Sequence, residues 1–255
     1  MFLITMIVFR IFHHRGYRPC YIVYRLQPTK IFSNKEPLPK LYQIYIMEEW
    51  KMAKYSLTAK IDEATVENFN KLGQTVIIVK ETAGSSIDVA WISFSPFEIN
   101  EVSWEETYGL YASTSDISGK AKISKASYTE ASEKQSYIFE NGIFQPPVTD
   151  ASLQSNTYEI ANNASEKAML TFGLAQNIIA NGVNYEGHPI NAVQVMAHES
   201  ATFTPHEKIR VFMESDIDDG MVISRIKGKA LELDFTDQTD IIIKYDPAVG
   251  GFVKA

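Results

Sequence analysis

Cysteine is almost missing from this chain. Its one cysteine, Cys20, lies near the N-terminus, and none occurs from Met52 to Ala255. Disulfides, thiolate metal sites and thiol catalysis are thereby excluded from that stretch. The glycine patterns that cradle phosphates, G-x-G-x-x-G and G-x-x-x-x-G-K-[ST], are absent, as is the G-x-S-x-G elbow of serine hydrolases. The N-terminal apolar run, Met1–Phe9, is broken by Arg10 and is too short to cross a bilayer as a helix. It has no basic residue ahead of it and no small-residue cleavage site behind it, so it does not read as a secretory signal. Clustered positive charge is lacking too. The net charge is −7, and the first 51 residues hold eight Lys/Arg against three acids, a local +5 that leaves −12 for the remainder. An acidic body argues against binding to a nucleic-acid backbone. Compartment stays open, because a core of this size needs no disulfides and both a cytoplasmic and a secreted soluble protein fit.

What the chain does have is aromatic and β-branched residues, with thirteen Tyr, fourteen Phe and three Trp in 255 positions. In Lys54–Ile61, Tyr55, Leu57, Ala59 and Ile61 alternate with polar residues, the period-two signature of a half-buried strand. Thr75–Lys80 and Val89–Phe94 read as further strands, the latter ended by Pro96. Asp62–Gly73 reads as a short helix, with Asp62 as N-cap, Gly73 just past the end, and Val66, Phe69 and Leu72 on one face, or else as a loop or strand. Asn141-Gly142 is a hairpin signal, because a type I′ turn needs positive φ at both central positions. Glu101–Thr107 and Thr202–Glu207 read as polar turns, each leading into a strand, and Asn181–Pro189 as a turn.

The two halves look alike. At an offset of 101, Val102 falls on Phe203, Glu106 on Glu207, Tyr108 on Ile209, Leu110 on Val211 and Gly119 on Gly220. Near an offset of 104, Tyr137–Phe139 falls on Ile241–Ile243, and Tyr55 falls on Tyr158 at 103. The expectation is an all-β protein of two tandem antiparallel β-sandwich, jelly-roll-like domains born of an internal duplication. Residues 1–51 form a non-core, disordered leader or linker, 52–148 the first domain and 149–255 the second. Pro146–Asn156 is the boundary.

No motif settles the chemistry. Glu98, Glu101, Glu105 and Glu106 invite comparison with the carboxylate pair of a glycoside hydrolase, but four acids across a turn have no defined facing. Asp216–Gly220 places its glycine one residue early for a calcium loop and reads as a turn. His188, His198 and His206 lack zinc-ligand spacing. No catalytic residue, metal or cofactor is expected. The first reading is a non-enzymatic binding protein, lectin-like or toxin-like, with carbohydrate or a membrane surface as partner. Its recognition residues are Trp104, Glu105, Glu106, Tyr108 and His206, since aromatics with one wet end suit sugars and interfaces. A membrane-active, pore-forming β protein comes second and a β-sandwich hydrolase third.

Overall fold

Alternation of apolar and polar side chains dominates the chain, and the fold that results is all-β, with one helix among the described residues. The structure, a computed structural model, describes residues 8–11, 20–24, 46–48, 53–85, 87–165 and 169–255. The chain divides into two compact units between Met52 and Ala53. In the first, β1 (Val8–Ile11), β2 (Cys20–Tyr24) and β3 (Ile46–Glu48) pair antiparallel into a small sheet. The rest of the expected 1–51 leader lies outside the described residues.

The second unit begins with β4 (Lys54–Lys60), α1 (Glu63–Lys71), β5 (Gln74–Ala83), β6 (Asp88–Val89) and β7 (Ile92–Phe94). It continues through β8 (Ile99–Glu105), β9 (Tyr108–Ser113), β10 (Lys125–Ala131), β11 (Gln135–Glu140), β12 (Ile143–Phe144), β13 (Val148–Thr149) and β14 (Tyr158–Asn162). The last elements are β15 (Met169–Ala180), β16 (Val183–Pro189), β17 (Val193–Met196), β18 (Ser200–Ser215), β19 (Val222–Ile223), β20 (Leu231–Asp234), β21 (Asp240–Asp246) and β22 (Gly251–Lys254). One large sheet runs β10-β9-β15-β8-β4-β21-β22, with β16 and β17 also on β15. The other runs β12-β11-β14-β18-β5-β7, with β13 on β11 and β20 on β18. Both sheets feed one main core, which holds Tyr55, Trp104, Leu110 and Phe172 from the first and Ile78, Tyr137, Ile160 and Phe203 from the second.

This topology corrects the two-domain expectation. Strands from either side of residue 148 share both sheets: β15 pairs with β8 and β9, and β21 lies parallel against β4. The expected linker is itself part of a sheet, since Val148–Thr149 pairs with β11. The strand order nevertheless recurs. In one sheet β8 pairs antiparallel with β4, which pairs parallel with β21. In the other β18 pairs antiparallel with β14, which pairs parallel with β11. The look-alike segments thus occupy matching places in two facing sheets of one body.

Local chemistry explains most boundaries. Asp62 caps α1 by accepting the Thr65 N–H at 3.0 Å, and Val66 and Phe69 pack on the core while Leu72 points to solvent. Asn141-Gly142 takes φ of 53° and 82°, as expected of its hairpin, and Asn181-Gly182 does likewise with 49° and 79°. The second pair makes Val183–Pro189 a strand returning along β15, where a turn was expected. β5 is buried on both faces. Val76 and Ile78 enter the main core, while Ile77 and Val79 enter a second cluster with Phe212, Ile217 and Ile223. Gly84, at φ 87°, passes so close to Thr202 that a Cβ would run into its carbonyl oxygen. Gly84→Ala combines this clash with a left-handed φ, and a loss of about 2–4 kcal/mol is expected in urea denaturation.

Candidate functional site

The inward row of β5 is Val76, Ile78 and then Lys80, which puts an ammonium group where an aliphatic side chain is due. Its counter-charge comes from the neighbouring strand. Between the pairs Pro205–Thr82 and Ile209–Lys80 the register of β18 shifts, so that His206, Glu207 and Lys208 stand opposite Glu81 alone. This irregularity aims Glu207 into the core. Lys80 Nζ lies 3.1 Å from Glu207 Oε2 and 3.2 Å from Oε1, with side-chain exposures of 0% and 7%.

The facing sheet completes the network. The Tyr108 hydroxyl donates to Glu207 Oε1 at 2.8 Å, and Trp104 Nε1 donates to Oε2 at 3.3 Å. The rings of Trp91, Trp104 and Tyr108 surround the ammonium at 5.4, 5.8 and 5.2 Å, within cation–π range. Tyr55 stacks on Trp104, and Phe235 packs edge-on against both. Burial pushes the Lys80 ammonium below its usual range, with Glu207 opposing the shift. Burial and then the Glu207 charge hold the Tyr108 hydroxyl well above its ordinary value, so it stays protonated and donating.

Of the five residues expected to form a recognition surface, Trp104 and Tyr108 do come together, but inside the protein. They are 2% and 5% exposed. The expected turn around Trp104 is the strand β8, with Val102 and Trp104 inward and Glu101 and Glu105 outward. Glu106 is half-buried between β8 and β9, where its charge acts on both Lys80 and Tyr108. His206 is half-buried in the irregular stretch of β18. The expected turn at 202–207 is part of that sixteen-residue strand. No local motif marks Lys80 and Glu207 as a pair. The one available signal was period two, which carries the inward row past Ile78 to Lys80.

A concave site opens elsewhere. A cavity of about 300 Å³ lies where β9, β10, β11 and β15 end or begin. Ala112, Phe139 and Leu170 form its buried floor, and Thr114, Asn141 and Ser165 its exposed rim. A second register shift, between Lys125 and Ser127 against β9, places Ala126 at the mouth.

The RhiA family model matches residues 59–254, a span covering both sheets, the buried pair and this cavity. The chain belongs to the RhiA family. No curated protein and no solved structure shows a match. The family name states no activity.

Among the described residues, the other acids and histidines of this RhiA chain do not converge. Glu98, Glu101 and Glu105 are exposed, and no group of three or more His, Cys, Asp and Glu suited to a metal exists among the described residues. His188 has one acidic neighbour. Its Nδ1 lies 3.3 Å from the Trp91 carbonyl and 3.6 Å from Asp219, which Lys122 also approaches at 3.8 Å. Tyr185 packs edge-on against its ring.

Two outcomes are expected. Lys80→Met strands the Glu207 carboxylate in the core and is about 3–5 kcal/mol less stable than the double variant with Glu207→Leu, which leaves no unpaired charge; denaturant titration of both variants measures it. Burial holds the His188 imidazole below its ordinary value of 6.5. Below that pH the unfolded chain binds the extra proton more readily than the folded one, so stability is full above about 6.5 and falls as pH drops through it. His188→Gln flattens the dependence of Tm on pH in that window.

Proposed function

We propose that this RhiA-family chain is a non-enzymatic binding protein, lectin-like in using the end of a β-sandwich to hold a saccharide unit. The cavity beneath Ala126 carries this reading. Its volume sits at the lower end of ligand sites, and it pairs an apolar floor with a polar rim. A sugar ring has the matching build, with C–H faces for Phe139 and Leu170 and hydroxyls for the Thr114 and Ser165 side chains and the Asn141 amide. None of the lining residues among the described ones bears a carboxylate, imidazole or amine. That set supports holding a ligand and offers no acid–base pair for hydrolysis. The polar groups of Trp104 and Tyr108 are already engaged by Glu207, which favours the cavity over the Trp104 region in this reading.

A membrane-directed, toxin-like reading has one observation in its favour. Ile143 beside Gly142, and Met169 beside Leu170, are exposed, as is Met196, which pairs with Met169 across the strands. No helix among the described residues is long and apolar enough to cross a membrane, a fact that leaves barrel-forming strands untouched.

A glycan array followed by NMR titration tests the proposal. The expected result is at least one saccharide that shifts the Ala112, Phe139 and Leu170 signals, and loses at least tenfold in affinity on Ala126→Trp while Tm holds. An array without a hit removes the saccharide reading, and dye release from vesicles in its place supports the toxin-like one.

A further inference from the structure

We propose that Lys80 and Glu207 condense into an intramolecular amide, a covalent isopeptide cross-link between β5 and β18. The amine and the carboxyl are held at contact distance. Nζ lies 3.2 and 3.1 Å from the two oxygens, so both carboxylate oxygens are within hydrogen-bond reach of the nitrogen. Two reacting groups fixed at such a separation by a rigid scaffold gain the rate advantage of an intramolecular reaction. Their strands are hydrogen-bonded neighbours, so the product needs little backbone movement.

The surroundings favour condensation in three ways. First, water is excluded, so the ion pair has little solvation to lose on passing to a neutral amine and a neutral acid. Burial already displaces Lys80 in that direction. Second, Tyr108 donates to Oε1, the oxygen that bears the charge of the tetrahedral intermediate, and it remains protonated to do so. Third, Trp91, Trp104 and Tyr108 pack around the nitrogen and keep bulk water from reversing the reaction.

The step balances without any co-reactant. A proton passes from the ammonium to the carboxylate, giving an amine and a carboxylic acid. The lone pair on Nζ forms the Nζ–Cδ bond while electrons move onto Oε1. A proton from the nitrogen transfers to Oε2, the Cδ–Oε2 bond breaks, and Oε2 leaves as water. The carbonyl reforms at Oε1. Nothing is oxidised or reduced. The cross-link joins positions 127 residues apart in sequence and ties together two central strands of one sheet.

Intact-mass spectrometry of the denatured full chain, with tryptic mapping, decides the matter. The expected mass is lower than that of the sequence by one water. Trypsin fails to cut after Lys80, and the peptide containing Glu207 emerges joined to the one containing Lys80. Lys80→Arg keeps the positive charge but cannot form this bond, and it carries the full sequence mass. Tyr108→Phe removes the donor at Oε1 and leaves a larger uncondensed fraction than the wild type. Wild-type protein at full mass, with cleavage after Lys80 and two separate linear peptides, overturns the proposal whether or not the variants fold. A water-mass deficit that persists in Lys80→Arg overturns it equally.

Discussion

A lysine side chain with no route to water is the constraint around which the core is arranged. An ammonium group in a hydrophobic interior is costly unless a carboxylate neutralises it and further donors saturate that carboxylate. Each requirement selects a feature of the fold. Glu207 turns inward because the register of β18 shifts just there. Its oxygens then need donors beyond Lys80, and the Tyr108 hydroxyl and Trp104 indole reach across from the other sheet. The indole of Trp91, its N–H bonded to the Gln176 carbonyl at 3.2 Å, turns its ring toward the same ammonium. One buried charge thereby fixes how two sheets face each other, a specificity that apolar packing alone gives less sharply. The order of the costs matters: the pair by itself adds little stability, while either member without the other is strongly unfavourable.

The same interaction accounts for the two look-alike segments. EVSWEETYGLYAS is β8 running into β9, and TFTPHEKIRVFMES lies within β18. They sit in opposite sheets, and the hydrogen bonds from Trp104 and Tyr108 to Glu207 join them directly. Matching strand patterns in two separate domains would have had no reason to meet. Here each half contributes to both sheets, so neither half owns a complete core. Tyr137 and Phe139 from the first half pack in the same cluster as Ile160 and Phe203 from the second.

What could be read from the sequence divides along physical lines. Features that depend on neighbouring residues were legible: the alternation of Lys54–Ile61, the Asp62 cap, the Asn141-Gly142 hairpin and the all-β character. Features that depend on partners remote in sequence were not. Glu101, Ser103 and Glu105 made the stretch around Trp104 look like a polar loop, although polar residues on alternate positions are what an outward strand face requires. Glu207 broke the pattern in the opposite sense. A carboxylate on an inward row makes physical sense only once Lys80, 127 residues away, is known to stand beside it. The cavity was illegible for a related reason. Alanines, serines and a glycine carry no chemical signature, and they line a hollow only because several strand ends converge on it.

The two register shifts illustrate how one device serves opposite ends. In β18 the irregular stretch drives a charged side chain inward, where every polar contact it can make is taken up by protein groups. In β10 the shift leaves a methyl group at Ala126, where a bulkier side chain would close the cavity. The first spends its polar groups on the protein itself, and aromatic residues that would suit a ligand are committed to that network. The second leaves a hollow above an apolar floor, beneath a rim of hydroxyls and an amide. A ligand needs surface that the protein has not already satisfied, and the cavity at the strand ends offers more of it than the interior at Trp104. That difference, more than the presence of any one residue type, is what favours the cavity in the reading proposed above, while the Lys80–Glu207 cluster links the two sheets.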